Sequence, residues 1–501
     1  MKEKYDVVII GGGISGLTCA AWLSRKGLEV LLIEKNDRVG GLCSTFKKGE
    51  FLFHPCASVI AGCSDGFLPK LFSELKLKDI DFIPLPSVFK YVIPGYTVTE
   101  DRDTGSYVNR LSELFPKEQA SIKSFFEEMQ HIYSDLEKVI LADNRINYGK
   151  VKKSPITKYT GKTLIQVIRK IFNFKDEKLI SLLCGLPASL MCLPPEEVSF
   201  LSYAFFVMQW HNGGCFIVKG GIQNLADALK GSIEEHGGEV LLSSTVKKLL
   251  IKDKKVYAVR LENGEEIQAN YFVSAINLYH LYLNLLGITN SDMDTVKKLR
   301  DATLPYSIFG VCVGVDAKVV ADAEPAYHCY SPAYNLSEWY STIEKNMYSI
   351  DAQVIANATL VADSSLASSG KATLTLYLPV TYQTKASWPS LKEKMADVLI
   401  KRAEKLFPGI KNAVSDYMAF TPIDYENWIL SERASLTGFA ETVNHSLDRR
   451  FAHKTIYDNL FTCGQWTQPG MGINSAIYSG LTAAKIILQK EGIDPLRELG
   501  Y

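Results

Sequence analysis

Three glycines near the N-terminus have the spacing of a turn that binds phosphate. They occur as Gly11-x-Gly13-x-x-Gly16, directly after an apolar run at residues 7–10. Gly11 permits the tight turn, Gly13 lets a pyrophosphate approach the backbone, and Gly16 lets the next helix pack closely on the strand. The pattern predicts a helix over residues 14–26, whose first N–H groups, at Ile14 and Ser15, face the phosphates.

An acidic residue follows at the end of the next apolar run. Glu34 closes the segment 29–34, which is predicted to be the second strand. Its carboxylate is placed to accept hydrogen bonds from the hydroxyls of an adenosine ribose, and its charge disfavours a 2′-phosphate there. Strand, glycine turn, helix, strand and acid therefore occur in the order that predicts a dinucleotide-binding βαβ unit.

A further set of polar and small residues directly follows Glu34. It comprises Lys35, Arg38, Gly40, Gly41 and Leu42. The Arg-x-Gly-Gly pattern suits a second phosphate and a ribityl chain, because a guanidinium supplies charge and glycines allow close approach of the backbone. Simple nicotinamide-binding domains do not continue in this way.

A second glycine-rich turn occurs near the C-terminus. Gly464 and Gln465 follow a short apolar run, and Gly472, Ile473 and Asn474 precede a predicted helix that extends to residue 489. The N-terminus of this helix is a second site for partial negative charge, and a flavin pyrimidine carbonyl, which gains charge on reduction, suits it.

The elements that must position these residues continue in the middle of the chain. A helix is predicted at residues 225–235, and strands at 239–243, 246–252, 256–262 and 266–268. Turn residues separate the last three strands, as in a β-meander. Residues 271–275 are then predicted to return to the parallel sheet.

Three passages give the chain a family resemblance: residues 41–46 with 51–53, residues 216–229 with 236–240 and Val246, and residues 469–472 with 479–480. In these passages the chain resembles FAD-dependent flavoproteins of the amine oxidase fold, and most of all the phytoene desaturase, carotenoid isomerase and retinol saturase group. The resemblance implies an α/β fold with a Rossmann-like FAD-binding domain, built from a parallel sheet and a β-meander, and an inserted α+β substrate domain. It implies FAD as the cofactor, with Val246 at the adenine edge, Ala275 in the binding set and residues 219–221 beside the flavin.

The chain departs from this family pattern at three points. His54 and Cys56 stand where the carotenoid-type proteins have Phe-Asp-x-Gly, which places both near the isoalloxazine. Packing around the flavin is the favoured role of these two side chains, and a covalent flavin link is the alternative. Gln465 replaces an acid, and the turn at residues 470–473 lacks the aromatic residue with which amine oxidases hold a substrate nitrogen.

The predicted domains are interleaved along the sequence. Residues 1–85, 215–290 and 455–501 form the FAD-binding domain, and residues 86–214 and 291–454 form the substrate-binding domain. The second domain is expected to hold a long helix or helix pair at 111–142 and strands at 306–315 and 372–379. The basic amphipathic segment 164–174 is expected to pack in the core, with a membrane-facing role as the alternative. The aromatic residues Tyr306, Phe309, Tyr377 and Trp428 are expected to belong to the core.

Composition excludes several other classes of protein. The chain has 55 basic and 55 acidic residues, so no basic excess favours nucleic acid. No apolar run approaches the roughly 18 residues of a membrane-spanning helix. The 10 cysteines have neither the regular spacing of a disulfide framework nor the spacing of metal ligands, which indicates reduced thiols and no metal site. A cytoplasmic location, with association at the cytoplasmic face of a membrane, is the expectation.

These observations predict an FAD-dependent oxidoreductase that acts on a hydrophobic polyene or unsaturated lipid by hydride transfer at the flavin, as a desaturase, saturase or isomerase. The expected partner is a hydrophobic small molecule, with peripheral membrane contact. A flavin amine oxidase that releases hydrogen peroxide and a non-redox flavoprotein of the sugar-mutase type are the alternatives. No residue pattern marks a catalytic acid or base, and the oligomeric state is left open.

Overall fold

The computed structural model describes residues 4–64, 66–142, 154–186, 190–288, 294–382, 388–495 and 499. In chain order the strands are β1 (Lys4–Ile10), β2 (Val30–Ile33), β3 (Phe46–Lys48), β4 (Phe51–Phe53), β5 (Val59–Ala61), β6 (Phe82–Pro84), β7 (Ser87–Ile93), β8 (Tyr96–Asp101), β9 (Cys215–Val218), β10 (Glu239–Leu241), β11 (Val246–Lys252), β12 (Lys255–Leu261), β13 (Glu266–Ser274), β14 (Ser307–Asp316), β15 (Tyr327–Tyr330), β16 (Val354–Asn357), β17 (Lys371–Val380), β18 (Val414–Phe420) and β19 (Leu460–Thr462). The helices are α1 (Ile14–Arg25), α2 (Phe67–Glu74), α3 (Thr104–Leu114), α4 (Gln119–Ala142), α5 (Pro155–Tyr159), α6 (Leu164–Gln166), α7 (Glu177–Leu186), α8 (Phe200–Gly213), α9 (Gln223–Glu235), α10 (Asp294–Asp301), α11 (Leu336–Ser341), α12 (Trp388–Ala403), α13 (Ile410–Ala413), α14 (Pro422–Ile429) and α15 (Ile473–Lys490).

The first sheet carries the predicted βαβ unit. Its order is β10-β2-β1-β13-β12-β11, with β19 also paired to β13. Strands β10, β2, β1, β13 and β19 run parallel, and β11 and β12 form the antiparallel meander. Strand β13 is continuous where two separate runs were predicted, because its first part also pairs with β12 and its last part with β19.

The second sheet is formed by strands from the other part of the chain. Its order is β18-β14-β17-β16-β15-β7-β8, and only the pair β15 and β7 is parallel. All of its strands come from residues 86–214 and 291–454, the segments predicted to form the substrate domain. One large apolar core joins the helices that flank the two sheets.

Two helices from distant parts of the sequence pack tightly beside the first sheet. A methyl group added to Gly480 in α15 would lie 2.2 Å from the carbonyl oxygen of Ser15 in α1. The small residue therefore permits backbone-to-backbone contact between these helices. Helix α8 lies nearby and is buried at residues 200–211.

The predicted helix at 111–142 is two helices. Pro116 begins a single turn between α3 and α4, which separates them. In α4 the side chains of Phe125, Met129, Ile132 and Leu136 are buried at the helical spacing that the sequence predicted.

The basic segment 164–174 packs in the core. Leu164, Val167 and Ile168 are fully buried, and Arg169 pairs with Glu177 at 2.7 Å. The segment begins as α6 and continues as a π-turn over Val167–Ile171. Core packing of these three apolar side chains is therefore confirmed, and the membrane-facing alternative stays a prediction.

The remaining broad expectations concern thiols and membrane spans. Each of the 10 cysteines lies in a described range and is a free thiol. Among the described helices, none combines the length and the apolar character that crossing a bilayer requires.

Candidate functional site

A cavity of about 310 Å³ lies between the carboxyl ends of the parallel strands and the second sheet. Of the residues predicted to bind a cofactor, all except Gly16, Arg38 and His54 line this cavity. The lining members of the predicted set are Gly11, Gly13, Ile14, Ser15, Glu34, Lys35, Gly40, Gly41, Leu42, Val246, Ala275, Gly464, Gln465, Gly472, Ile473 and Asn474. Residues far apart in the sequence thus meet at one site.

The N-terminus of α1 opens onto the cavity. Gly13 caps the helix with φ −71° and ψ 170°, and no described side chain caps its free N–H groups. A methyl group added to Gly13 would have no described atom within 4 Å, whereas one added to Gly16 would lie 2.0 Å from the carbonyl oxygen of Gly11. Gly13 therefore leaves room for a ligand, and Gly16 allows helix and strand to touch.

Backbone N–H groups of the glycine turn and of its own loop fix Glu34 at one end of the cavity. The carboxylate is 7% exposed and accepts hydrogen bonds from the N–H groups of Gly12, at 2.7 Å, and Asn36, at 2.9 Å. Lys35 donates to the Asn36 side chain at 3.0 Å and to the carbonyl of Asn427 at 3.1 Å. Burial lowers the pKa of Lys35, against the opposing attraction of Glu34. This end suits the adenosine of a dinucleotide.

A second uncapped helix N-terminus reaches the same cavity at α15. Gly472 precedes the helix with φ 99°, and no side chain of the described residues caps it. Asn474 ties this helix to β5, because its amide accepts from the N–H of Ala61 at 3.1 Å and donates to the carbonyl of Ala61 at 2.9 Å. The first turns of α1 and α15, which are both fully described, contain no acidic residue.

These features fit FAD. One helix N-terminus suits a pyrophosphate, and the other suits the electron-rich edge of a flavin ring. Thr437 adds a buried hydroxyl that lines the cavity and has no hydrogen-bond partner in the described part of the chain. A bound cofactor with hydroxyl and phosphate groups would satisfy it.

A buried ion pair supports the glycine turn before α15. Arg450 and Glu441 lie 2.9 Å apart, and their side chains are 0% and 4% exposed. Glu441 also accepts from the N–H of Met471 at 3.2 Å and from Ser202 at 2.8 Å, and Arg450 donates to the carbonyl of Thr467 at 3.2 Å. The pair was not predicted from the sequence, because neither residue belongs to a recognisable local motif.

Besides Gly16, the predicted binding residues Arg38 and His54 lie outside the cavity wall. The Arg38 side chain is 42% exposed, pairs with Asp37 at 3.1 Å and donates to the carbonyl of Thr45 at 3.3 Å. His54 is 1% exposed, and its Nε2 accepts from the N–H of Ile222 at 3.3 Å. Burial lowers the pKa of His54 to about 4, so the ring is neutral near pH 7.

The expectations for Cys56 and residues 219–221 have different outcomes. Cys56 lines the cavity, and burial raises the pKa of its thiol to about 12, which disfavours the reactive thiolate. Residues 219–221 do not line the cavity. Gly220 donates to Asp363 at 2.6 Å, and Lys219 pairs with Asp81 at 3.6 Å.

Beyond α15 the cavity is lined mainly by apolar and aromatic side chains. We call this part the aromatic chamber; its residues are Leu190, Phe206, Gln209, Trp210, Ile308, Tyr327 and Tyr377. Trp210 packs against Phe89, at a centroid distance of 5.5 Å, and against Tyr327, at 6.2 Å, and these two rings are themselves 5.7 Å apart. The assignment of Tyr377 and Trp428 to the core alone was wrong, because both line the cavity, whereas Tyr306 and Phe309 do not.

The charged residues of the cavity are confined to the adenosine end. Among the described lining residues, the acidic, basic and histidine side chains are Glu34, Lys35 and His280, and none of them belongs to the aromatic chamber. The chamber can therefore hold an apolar molecule and exclude water, but it offers no carboxylate for a cationic one.

Comparisons with known proteins agree with this geometry. The family model for flavin containing amine oxidoreductases matches residues 14–488. Prolycopene isomerase 1 of an Oncidium hybrid cultivar is 25% identical, over 98% of this chain and 85% of the relative. All-trans-retinol 13,14-reductase of Danio rerio is 24% identical, over 98% of this chain and 87% of the relative.

The fold also matches solved structures. The crystal structure of an oxidoreductase from Methanosarcina mazei superposes with a TM-score of 0.66 at 17% identity, covering 96% of this chain and 100% of that chain. This likeness confirms the predicted α/β fold. The chain belongs to the flavin containing amine oxidoreductases, with FAD as its cofactor.

Proposed function

We propose that this FAD-dependent oxidoreductase acts on a hydrophobic polyene or a similar unsaturated lipid, as a desaturase, saturase or isomerase. The aromatic chamber is the observation that carries the proposal, because it joins an uncharged apolar space to the N-terminus of α15. When bound, FAD supplies hydride transfer, either from an allylic C–H or, after reduction, to a conjugated double bond.

The described residues would position the substrate and shield it from water. The rings of Phe206, Trp210 and Tyr327 provide flat surfaces for a conjugated chain. A methyl group added to Gly472 would lie 3.1 Å from the Phe206 ring, so the chamber begins directly at the turn before α15. The free N–H groups of that helix would stabilise the negative charge that a bound flavin gains on reduction.

Named relatives support this substrate class. The Oncidium relative is a prolycopene isomerase and the Danio relative is an all-trans-retinol reductase, and both match nearly all of this chain. Their names cover isomerisation and reduction of conjugated chains, which leaves the direction of hydride flow in this protein to experiment.

The two alternatives have less support. An amine substrate would need a carboxylate or an aromatic pair at the turn, and residues 470–473 supply neither. A sugar mutase would need arginines for a nucleotide diphosphate, yet no arginine is among the described residues that line the cavity. Arg433, an arginine of the predicted substrate domain that such an enzyme could have used, does not line the cavity and lies over the ring of Tyr382 at 5.8 Å.

The proposal includes peripheral contact with the cytoplasmic face of a membrane. Polyenes dissolve in bilayers rather than in water, so the enzyme must collect its substrate there. The free thiols of the chain support a reducing location such as the cytoplasm. Flotation of the purified protein with liposomes checks the contact. Recovery of the protein only in the lipid-free bottom fraction of the gradient would contradict it.

The function can be tested with the purified holoprotein under anaerobic conditions. Oxidised and dithionite-reduced samples are incubated with prolycopene, phytoene and all-trans-retinol, and the products are separated by chromatography. We expect conversion of at least one polyene and a perturbed flavin absorbance, with FAD-free protein as the control. Conversion of no polyene, together with peroxide release from an amine, would overturn the proposal.

The electron donor can be identified in the same apparatus. Rapid bleaching of the flavin by NADPH or NADH would indicate a saturase or a reduction-primed isomerase. Absence of bleaching would indicate that the lipid is the reductant, as in a desaturase.

A further inference from the structure

One polar side chain in the aromatic chamber has no partner. Gln209 lines the cavity and is 6% exposed, yet its amide nitrogen makes no hydrogen bond to the described part of the chain. It follows Phe206 by three positions, close to one helical turn, and directly precedes Trp210, and all three residues line the cavity. A buried amide without a partner is uncommon in native proteins and indicates a missing hydrogen-bonding group.

Other polar groups around the chamber are already satisfied. Tyr377 donates to the carbonyl of Cys56 at 3.0 Å, and Ser58 accepts from Asn357 at 2.7 Å. Tyr327 is hydrogen-bonded to the same serine. Gln209 therefore differs from its neighbours in keeping its hydrogen-bonding capacity for a molecule in the cavity.

We infer that the carboxamide of Gln209 binds an oxygen atom of the substrate, so that the natural substrate is an unsaturated lipid bearing a hydroxyl, carbonyl or carboxylate group and not a pure hydrocarbon. This inference rests on the proposed function. A hydrocarbon polyene has no acceptor for an amide N–H and would leave Gln209 buried and unsatisfied, whereas an oxygenated lipid would satisfy it.

The test compares ligands that differ only in hydroxyl groups. All-trans-retinol is paired with its hydrocarbon analogue axerophthene, and zeaxanthin is paired with β-carotene. Binding of each to the oxidised holoprotein is followed by the flavin difference spectrum. The variant Gln209→Leu removes the amide at similar size, and Asn212→Ala changes an exposed residue of the same helix as the matched control.

We expect the wild type and Asn212→Ala to bind the hydroxylated member of at least one pair about tenfold more tightly, as one hydrogen bond would give. Gln209→Leu should abolish that preference and should not weaken the binding of the hydrocarbon, because it removes an amide that the hydrocarbon leaves unsatisfied. Equal weakening of both members, or a preference that survives in Gln209→Leu, would overturn the inference.

Three further outcomes separate this inference from its alternatives. If Gln209→Leu changes the affinity for FAD or the flavin midpoint potential, the amide serves the cofactor and the inference is wrong. If the wild type binds only hydrocarbon polyenes, the inference fails while the proposed function stands. If it binds no polyene at all, the proposed function fails, and the inference with it.

Discussion

Gly13 and Gly16 lie in the same turn but are required for different reasons. The space beside Gly13 is empty of protein atoms within 4 Å, and its φ of −71° suits any residue. The space beside Gly16 is filled by the backbone of Gly11. One glycine therefore serves a ligand and the other serves the fold.

Alanine at these two positions should separate the two requirements. Gly13→Ala should weaken FAD binding at least tenfold and leave the free energy of unfolding of the apoprotein unchanged, because the methyl group meets only the ligand. Gly16→Ala should destabilise the apoprotein by about 3 kcal/mol, the upper range for overpacking. Flavin titration and urea unfolding measure the two effects. Equal destabilisation by both variants would contradict this assignment.

At the scale of elements, the turn before α15 is held by a buried ion pair. Arg450 and Glu441 are closed off from solvent, and Glu441 links the turn at Met471 to Ser202 in α8. This connection joins the expected flavin edge to the helix that carries the aromatic chamber. Its disruption should therefore affect cofactor and substrate binding together.

Removing one partner of this pair should be costly. Arg450→Met leaves Glu441 buried without its counter-ion, for which we expect a loss of about 3–5 kcal/mol in unfolding free energy and weaker retention of FAD. Arg169→Met is the matched control, since Arg169 pairs with Glu177 at 2.7 Å with side chains 43% and 57% exposed. Its cost should be below about 1 kcal/mol. Similar melting temperatures for the two variants would contradict the prediction.

The sequence predicted the parts of the site that are local. The glycine turn, α1 and Glu34 lie within one βαβ unit, so their spacing alone carries the signal. The surroundings of Gln209 and of the Arg450–Glu441 pair are formed by contacts between distant parts of the chain. Ser202 and Glu441, for example, are 239 positions apart. No local pattern encodes such a contact. His54 was placed beside the flavin from its position in a motif, but the direction of its side chain depends on packing against Gly221.

At the scale of the whole molecule, buried neutral histidines link stability to pH. His54 and His328 are 1% and 3% exposed, and burial lowers the pKa of each to about 4. An unfolded chain takes up these protons near pH 6.5, whereas the folded protein does not. The unfolded state therefore binds more protons between pH 6.5 and 4, and stability falls as the pH falls through this window.

The pH dependence can be measured by urea unfolding. Each histidine should reduce the unfolding free energy by about 2 kcal/mol between pH 6.5 and 5, a window above most carboxyl titrations. His328→Gln should reduce the slope of unfolding free energy against pH, because the unfolded chain then takes up one proton fewer. The variant keeps a donor for the carbonyl of Glu324, which His328 contacts at 2.8 Å. An unchanged slope in that variant would show that His328 does not titrate abnormally.

The amide bridge between Asn474 and Ala61 spans 413 positions of the chain. During translation the nucleotide turn at Gly11–Gly16 is therefore made long before the second helix end that completes the cavity. A chain that stops before residue 464 lacks five of the predicted cofactor-binding residues, together with the whole of α15. Cofactor uptake should thus report that synthesis has finished, and flavin supply should set how much of the newly made protein escapes degradation.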